Sequence, residues 1–172
     1  MKKIALIICC YFVSSSHTIY AQTCKTGAIK STPDTNFEII GDGSEVKDKI
    51  TGLIWQRCFA GQIWNGSECI GEANQFQWLD ALKETRKLGK GYRLPNAKEA
   101  MSIIEHSCIY PAFNTKIFMD GKWTQDIQLT RSIWTSTPNG EKHIYTVWSG
   151  WGKLTSTQRT TLNGVRAVRG GW

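Results

Sequence analysis

The chain has 172 residues, with 21 basic and 14 acidic side chains and a formal charge of +7. That length allows one domain with a real core and makes a second domain unlikely on size alone. The charge is basic without the long cationic runs of a nucleic-acid-binding tail, so no nucleic-acid partner is expected.

In chain order, the first element is a leader. Lys2 and Lys3 precede an apolar run from Ile4 to Val13, and small polar residues follow up to Ala21. This is the layout of a secretory signal, and the run is too short to span a bilayer. Residues 1–21 are therefore expected to be removed, placing the protein in the periplasm or outside the cell with no membrane span. Ile8 before Cys9 is not the small residue that precedes a lipidated cysteine. The mature chain then has 151 residues and a charge of +5.

Residues 22–50 read as a polar, turn-rich leading arm, with a short strand suggested by Phe37, Ile39 and Ile40. In 46–58, Leu53 and Trp55 alternate with Ile54 and Gln56 as in a largely buried strand opened by a turn at Thr51 and Gly52. A loop or hairpin is expected over 59–74. Trp78, Ala81, Leu82, Thr85 and Leu88 recur at helical spacing, and Gly89 and Gly91 end that helix. A second helix starts at Asn96, with Glu99 as the return arm of a capping box, and is expected to run to about His106. Four short strands follow at 132–138, 143–148, 153–158 and 164–170. The pattern predicts an α+β fold, with two central helices and an antiparallel sheet built largely from the carboxy-terminal third.

Four cysteines remain after the leader: Cys24, Cys58, Cys69 and Cys108. In an oxidising compartment they suggest two disulfides, for which three pairings exist. The Asn65-Gly66 turn favours Cys58 with Cys69, leaving Cys24 for Cys108. In the chain-entropy picture the bridges contribute a little under about 3 and about 4.5 kcal/mol. No CxxC spacing occurs and His106 and His143 are the only mature histidines, so no zinc or other metal site is expected. Asn65-Gly66-Ser67 also matches a glycosylation acceptor.

No nucleophile elbow, HExxH, phosphate loop or dinucleotide fingerprint is present, and neither an enzyme nor a cofactor is expected. Eight tryptophans stand out. Trp55, Trp78 and Trp134 sit on apolar faces and should anchor packing, whereas Trp148 and Trp151, in the hairpin tip 148–152, can present an indole to a sugar or a protein. No acidic residue follows Glu141, while Lys142, Lys153, Arg159, Arg166 and Arg169 do. These five cations with Trp148 and Trp151 form the expected ligand-binding set, for which an anionic polysaccharide is the matching partner. Arg166 and Arg169 are equally open to a structural role, paired inside the fold.

TGLIWQRC (51–58), WNGSEC (64–69), the helix from Trp78 to Leu82, YRLPNAKE (92–99), FNTKIF (113–118), SIWTS (132–136) and VRAVRGG (165–171) occur in that order. As a set they resemble the bacterial exported domains named after the C-terminal domain of the Legionella collagen-like adhesin, Lcl, here over about residues 51–171. The resemblance implies a fold related to C-type lectins and, more distantly, to formylglycine-generating enzymes. For the namesake adhesin it implies trimerisation and binding of sulfated glycosaminoglycans. This chain lacks a collagen-like stalk and the acidic signatures by which many C-type lectins hold calcium. Three readings follow. The first is an adhesin-like glycan-binding module. The second is an envelope structural or protein-interaction subunit, possible as a homo-oligomer. The third is an enzyme of formylglycine-generating type, disfavoured because its reactive cysteines would be committed to bridges.

Overall fold

A computed structural model describes residues 22–118 and 132–171. The expected leader, together with Trp123 and Trp172, lies outside the described residues. The fold is α+β, with two helices and antiparallel sheets.

The larger sheet has strands β2 (Phe37–Ile40), β3 (Glu45–Asp48), β4 (Ile54–Gln56) and β11 (Val168–Arg169), in the order β11-β4-β3-β2. Residues 37–48, within the stretch read as an arm, thus form half of this sheet. The turn into β4 is built locally: the Asp48 carboxylate accepts from Ile50 N at 2.9 Å and Thr51 Oγ at 2.6 Å, and Gly52 N donates to Asp48 O at 2.8 Å. Alternation then sends Leu53, Trp55 and Arg57 inward.

The second sheet joins β8 (Ser132–Asn139), β9 (His143–Trp148) and β10 (Lys153–Gln158). Its two faces bury different cores. Ile133 and Val147 join the main cluster with Trp55, Phe59, Ile103, Ile104, Phe113, Phe118 and Val168. Trp134 and Ile144 pack instead with Ala81, Leu94 and Val165. Side chains on opposite faces of one strand make this division possible.

Helix α1 (Trp78–Lys87) closes the second core, burying Ala81 and Thr85. Trp78 Nε1 donates to Thr135 O at 3.0 Å and Trp134 Nε1 to Phe76 O at 2.6 Å, so two indoles brace helix against sheet. Gly89, at φ 65°, ends the helix as expected. Helix α2 (Ala97–Ser102) has the expected capping box, with Asn96 Oδ1 accepting from Glu99 N and Glu99 Oε2 from Asn96 N. The same Glu99 carboxylate takes both arms of Arg93 at 2.7 Å. The RLPN segment and its glutamate are therefore scaffold. The helix stops at Ser102, so His106 lies exposed in a turn and not at a helix end.

The structure departs from expectation again at 164–170. Only Gly164 pairs with the carboxy-terminal sheet, bridging Ile133 of β8 in parallel, whereas β11 is just two residues long and pairs with β4, Val168 opposite Trp55. The physical reason is burial: Val165, Arg166, Ala167 and Val168 are all buried, so the segment threads the interior.

Cys24 is bonded to Cys108, linking β1 (Thr23–Cys24) to β7 (Cys108–Ile109), and Cys58 to Cys69, closing the hairpin of β5 (Ile63–Trp64) and β6 (Cys69–Ile70). These bridges suit a chain that folds in an oxidising compartment. Beside the first bridge the leading arm is latched by Glu105, which is 2% exposed. Its carboxylate accepts from Ser31 N (3.1 Å), Thr32 N (2.9 Å), Thr32 Oγ (3.1 Å), Ser107 N (3.0 Å) and Ser107 Oγ (2.6 Å). Burial pushes its pKa up, but these donors outweigh burial and bring it down to about 2. Among the described residues, no helix is long and apolar enough to cross a membrane.

Candidate functional site

The hairpin tip between β9 and β10 is a built structure. Gly152 N donates to Trp148 O at 2.7 Å, while Ser149 O and Gly150 O accept from Ala112 N (2.8 Å) and Tyr110 N (2.7 Å). The tip therefore lies against the segment that follows β7. Gly152 is required there. It has φ 63°, and a Cβ would sit 2.4 Å from Ile104 Cγ2.

This docking assembles three aromatic rings. Tyr110 and Trp151 meet edge to face at 5.4 Å, and Trp148 and Trp151 lie tilted at 6.4 Å. Trp151 Nε1 donates to Tyr110 Oη, fixing the indole, whose residue is 41% exposed. The Lys153 ammonium stands 5.3 Å from the Trp151 ring centroid. Trp148, Trp151 and Lys153 are thus brought together from the expected set. Tyr110 was missed, because nothing in its local sequence ties it to a tip some 40 residues away.

The other four cations are elsewhere. Lys142 and Arg159 sit at the opposite end of the same hairpin, where Arg159 N donates to Lys142 O at 3.1 Å and the guanidinium covers the Trp78 ring at 5.0 Å. The strand between the ends separates them from Lys153 by roughly 20 Å. Arg169 is a scaffold residue: its guanidinium binds Glu45 at 2.9 Å and lies 5.5 Å from the Tyr92 ring. Burial raises the Glu45 pKa, but hydrogen bonds from Arg169 and Tyr92 prevail and lower it.

Arg166 leaves the expected ligand set for the structural role also open to it, being fully buried and out of reach of a surface ligand. It donates to Gln56 O at 3.1 Å and to Arg57 O, and its guanidinium lies over Phe59 at 4.3 Å and Phe118 at 5.1 Å. A second buried arginine, Arg57, went unnoticed. It donates to Ile117 O, Gly43 O and Lys116 O at 2.7, 2.8 and 3.3 Å and stacks on Trp64 at 4.3 Å. Burial, then the nearby Arg166 charge, lowers its pKa. The signal was available: Arg57 continues the inward alternation of Leu53 and Trp55.

The aromatic site lies apart from two concave regions of the described surface. A groove of about 300 Å³ runs between Ile50, Leu53 and helix α2, and a notch of about 130 Å³ lies between Phe59 and Leu88. None of the seven expected ligand residues lines either. No curated protein matches the chain. The profile of the Lcl C-terminal domain matches residues 44–169, from β3 through β11. With that match spanning the three-stranded sheet, three of the four strands of the larger one, both helices and the aromatic tip, the chain belongs to the Lcl C-terminal domain family.

Proposed function

We propose that this is an exported, non-enzymatic recognition module of adhesin type. In this reading Tyr110, Trp148 and Trp151 are a stacking platform for a sugar ring, and Lys153 supplies a cation for an acidic substituent. The observation that carries it is the held yet exposed Trp151 indole, locked by Tyr110 and flanked by Lys153. A pre-set ring loses little freedom on binding, which is the physical requirement of a weak carbohydrate platform. Membership of the Lcl C-terminal domain family relates the chain to exported adhesin domains. A kinship with C-type lectins, and at greater distance with formylglycine-generating enzymes, fits the two helices, antiparallel sheets and two bridges. Enzyme chemistry of the latter type is disfavoured because Cys24, Cys58, Cys69 and Cys108 are all bonded.

Scattering of the five cations narrows the ligand. A broad polyanion stripe is replaced by one aromatic platform with one near cation, worth about 4 kcal/mol, or millimolar affinity, from a single copy. Useful adhesion then relies on several copies. Affinity electrophoresis through gels containing heparin or a neutral polysaccharide tests this. The protein should be retarded at low salt, Trp151→Ala should migrate freely, and Lys142→Ala should behave as wild type. Equal mobility of wild type and Trp151→Ala in every gel would sink the proposal.

A second reading, a protein-interaction subunit, is favoured by one observation. Ile63 and Ile70 face each other across the β5–β6 hairpin and are 68% and 44% exposed.

A further inference from the structure

Three Asn-Gly pairs lie in the described chain: Asn65-Gly66, Asn139-Gly140 and Asn163-Gly164. In such a pair the glycine nitrogen, unshielded by a side chain, can attack the side-chain amide carbon of the asparagine before it. The fold gives the three pairs different environments. Asn163 is 4% exposed, and Gly164 N is occupied in a 2.9 Å hydrogen bond to Ser132 O. Asn139 is held by its amide nitrogen, Nδ2 donating to Ser156 Oγ at 2.8 Å.

Asn65 is the opposite case. It is exposed at the hairpin tip, and its Oδ1 accepts three hydrogen bonds, from Ser67 N at 2.9 Å, Ser67 Oγ at 3.1 Å and Glu68 N at 2.9 Å. Gly66 N enters no hydrogen bond with the described residues. Gly66 has φ 101°, with nothing within 4 Å of the place a Cβ would take. The nucleophile is open to solvent and the electrophile's oxygen is already surrounded by donors.

We propose that Asn65 is a self-modification site, a deamidating residue whose own turn stabilises the reaction. Gly66 N gives its proton to solvent and forms a bond to Asn65 Cγ. Negative charge develops on Oδ1 among the three donors, the arrangement that lowers such barriers in acyl transfer. The intermediate collapses, the Cγ–Nδ2 bond breaks, and the nitrogen leaves as ammonia with a proton from water. The resulting succinimide is opened by water at either carbonyl, giving aspartate or isoaspartate. The net change is hydrolysis of the amide, without oxidant or reductant.

The fold sets the consequences. Because Cys58–Cys69 closes the loop, the reaction adds one negative charge and leaves the hairpin tethered. The aspartate product keeps the same three donors and, as a carboxylate, accepts from them more strongly. The isoaspartate product lengthens the backbone by one methylene and disturbs the Trp64–Cys69 pairing.

The test is peptide mapping by mass spectrometry of the intact, disulfide-bonded protein during incubation at neutral pH, beside the reduced and unfolded chain. In the unfolded chain the three pairs should gain one dalton at similar rates. In the folded protein Asn65 should convert first, Asn139 more slowly and Asn163 least, with a matching acidic isoform on ion exchange. Ser67→Ala, which removes one donor and leaves the two backbone ones, should slow Asn65 severalfold without changing Asn139. Conversion of Asn139 ahead of Asn65 in the folded protein, or a folded-state rate at Asn65 well below its unfolded rate, would overturn the proposal.

Discussion

The closing segment, residues 163–169, and the β9–β10 hairpin, residues 143–158, look alike as sequence: each contains β-branched residues, has no acidic side chain, and carries or is flanked by cations. In the structure they are opposites. The segment runs between the two cores with Arg166 wholly enclosed, and its other cation, Arg169, is tied to Glu45. Among the described residues the hairpin has an open edge on β10, and its tip carries the exposed Trp151. A basic strand is a ligand surface only where one face is left uncovered. Where both are covered, its cations must be satisfied from within, by carbonyls, rings or a carboxylate.

That contrast can be broken by substitution. Arg166→Ala should have the largest effect, lowering unfolding free energy by about 3–5 kcal/mol, since it opens a cavity and strands the Gln56 and Arg57 carbonyls. Urea denaturation measures it, and a loss under about 1 kcal/mol would mean that the side chain is not enclosed. The buried anion gives the next effect, with Glu105→Gln costing about 2–3 kcal/mol at neutral pH by the same measurement. The sign of its pH dependence follows from a pKa lowered from 4.5 to about 2. Its stabilisation is complete above 4.5 and disappears as pH falls through about 2, whereas the Gln variant should lack that component of acid sensitivity.

Arg169→Ala removes a partly exposed pair and should cost about 1 kcal/mol, more in low salt than in high. Trp151→Ala should move stability by less than about 1 kcal/mol yet abolish retardation in polysaccharide gels, because its exposed ring does its work outside the core. Lys142→Ala completes the series with no change in either readout. If it reduced retardation as much as Trp151→Ala, the two ends of the hairpin would act as one surface and the contrast would fail.

Much of the scaffold was legible because its causes are local. The spacing from Trp78 to Thr85 sets the buried stripe of α1, Asn96 and Glu99 make a cap within four residues, and Asn65-Gly66 folds the chain back so that Cys58 meets Cys69. The three strands from 132 to 158 were legible through composition and turns. The leading residues were legible in part: Phe37, Ile39 and Ile40 marked the strand β2, whereas its place beside β3 in the larger sheet follows only from tertiary pairing.

The candidate site was legible in half. Trp148, Trp151 and Lys153 lie within six residues and share one turn, so proximity along the chain guaranteed proximity in space. Tyr110 joins them only because Gly150 O and Ser149 O receive the backbone of 110–112. The remaining cations share a charge and a stretch of sequence, which says nothing about where their side chains end.

By itself, the order of residues determined the helices, the caps, the turns and the short disulfide, since each depends on groups a few positions apart. Tertiary structure alone decided that β11 crosses to β4, that Arg166, open to either role in the sequence, is interior, and that Tyr110 completes the aromatic platform. Those outcomes turn on which faces are covered once distant segments pack, and burial is a property of the whole fold, not of any window of sequence.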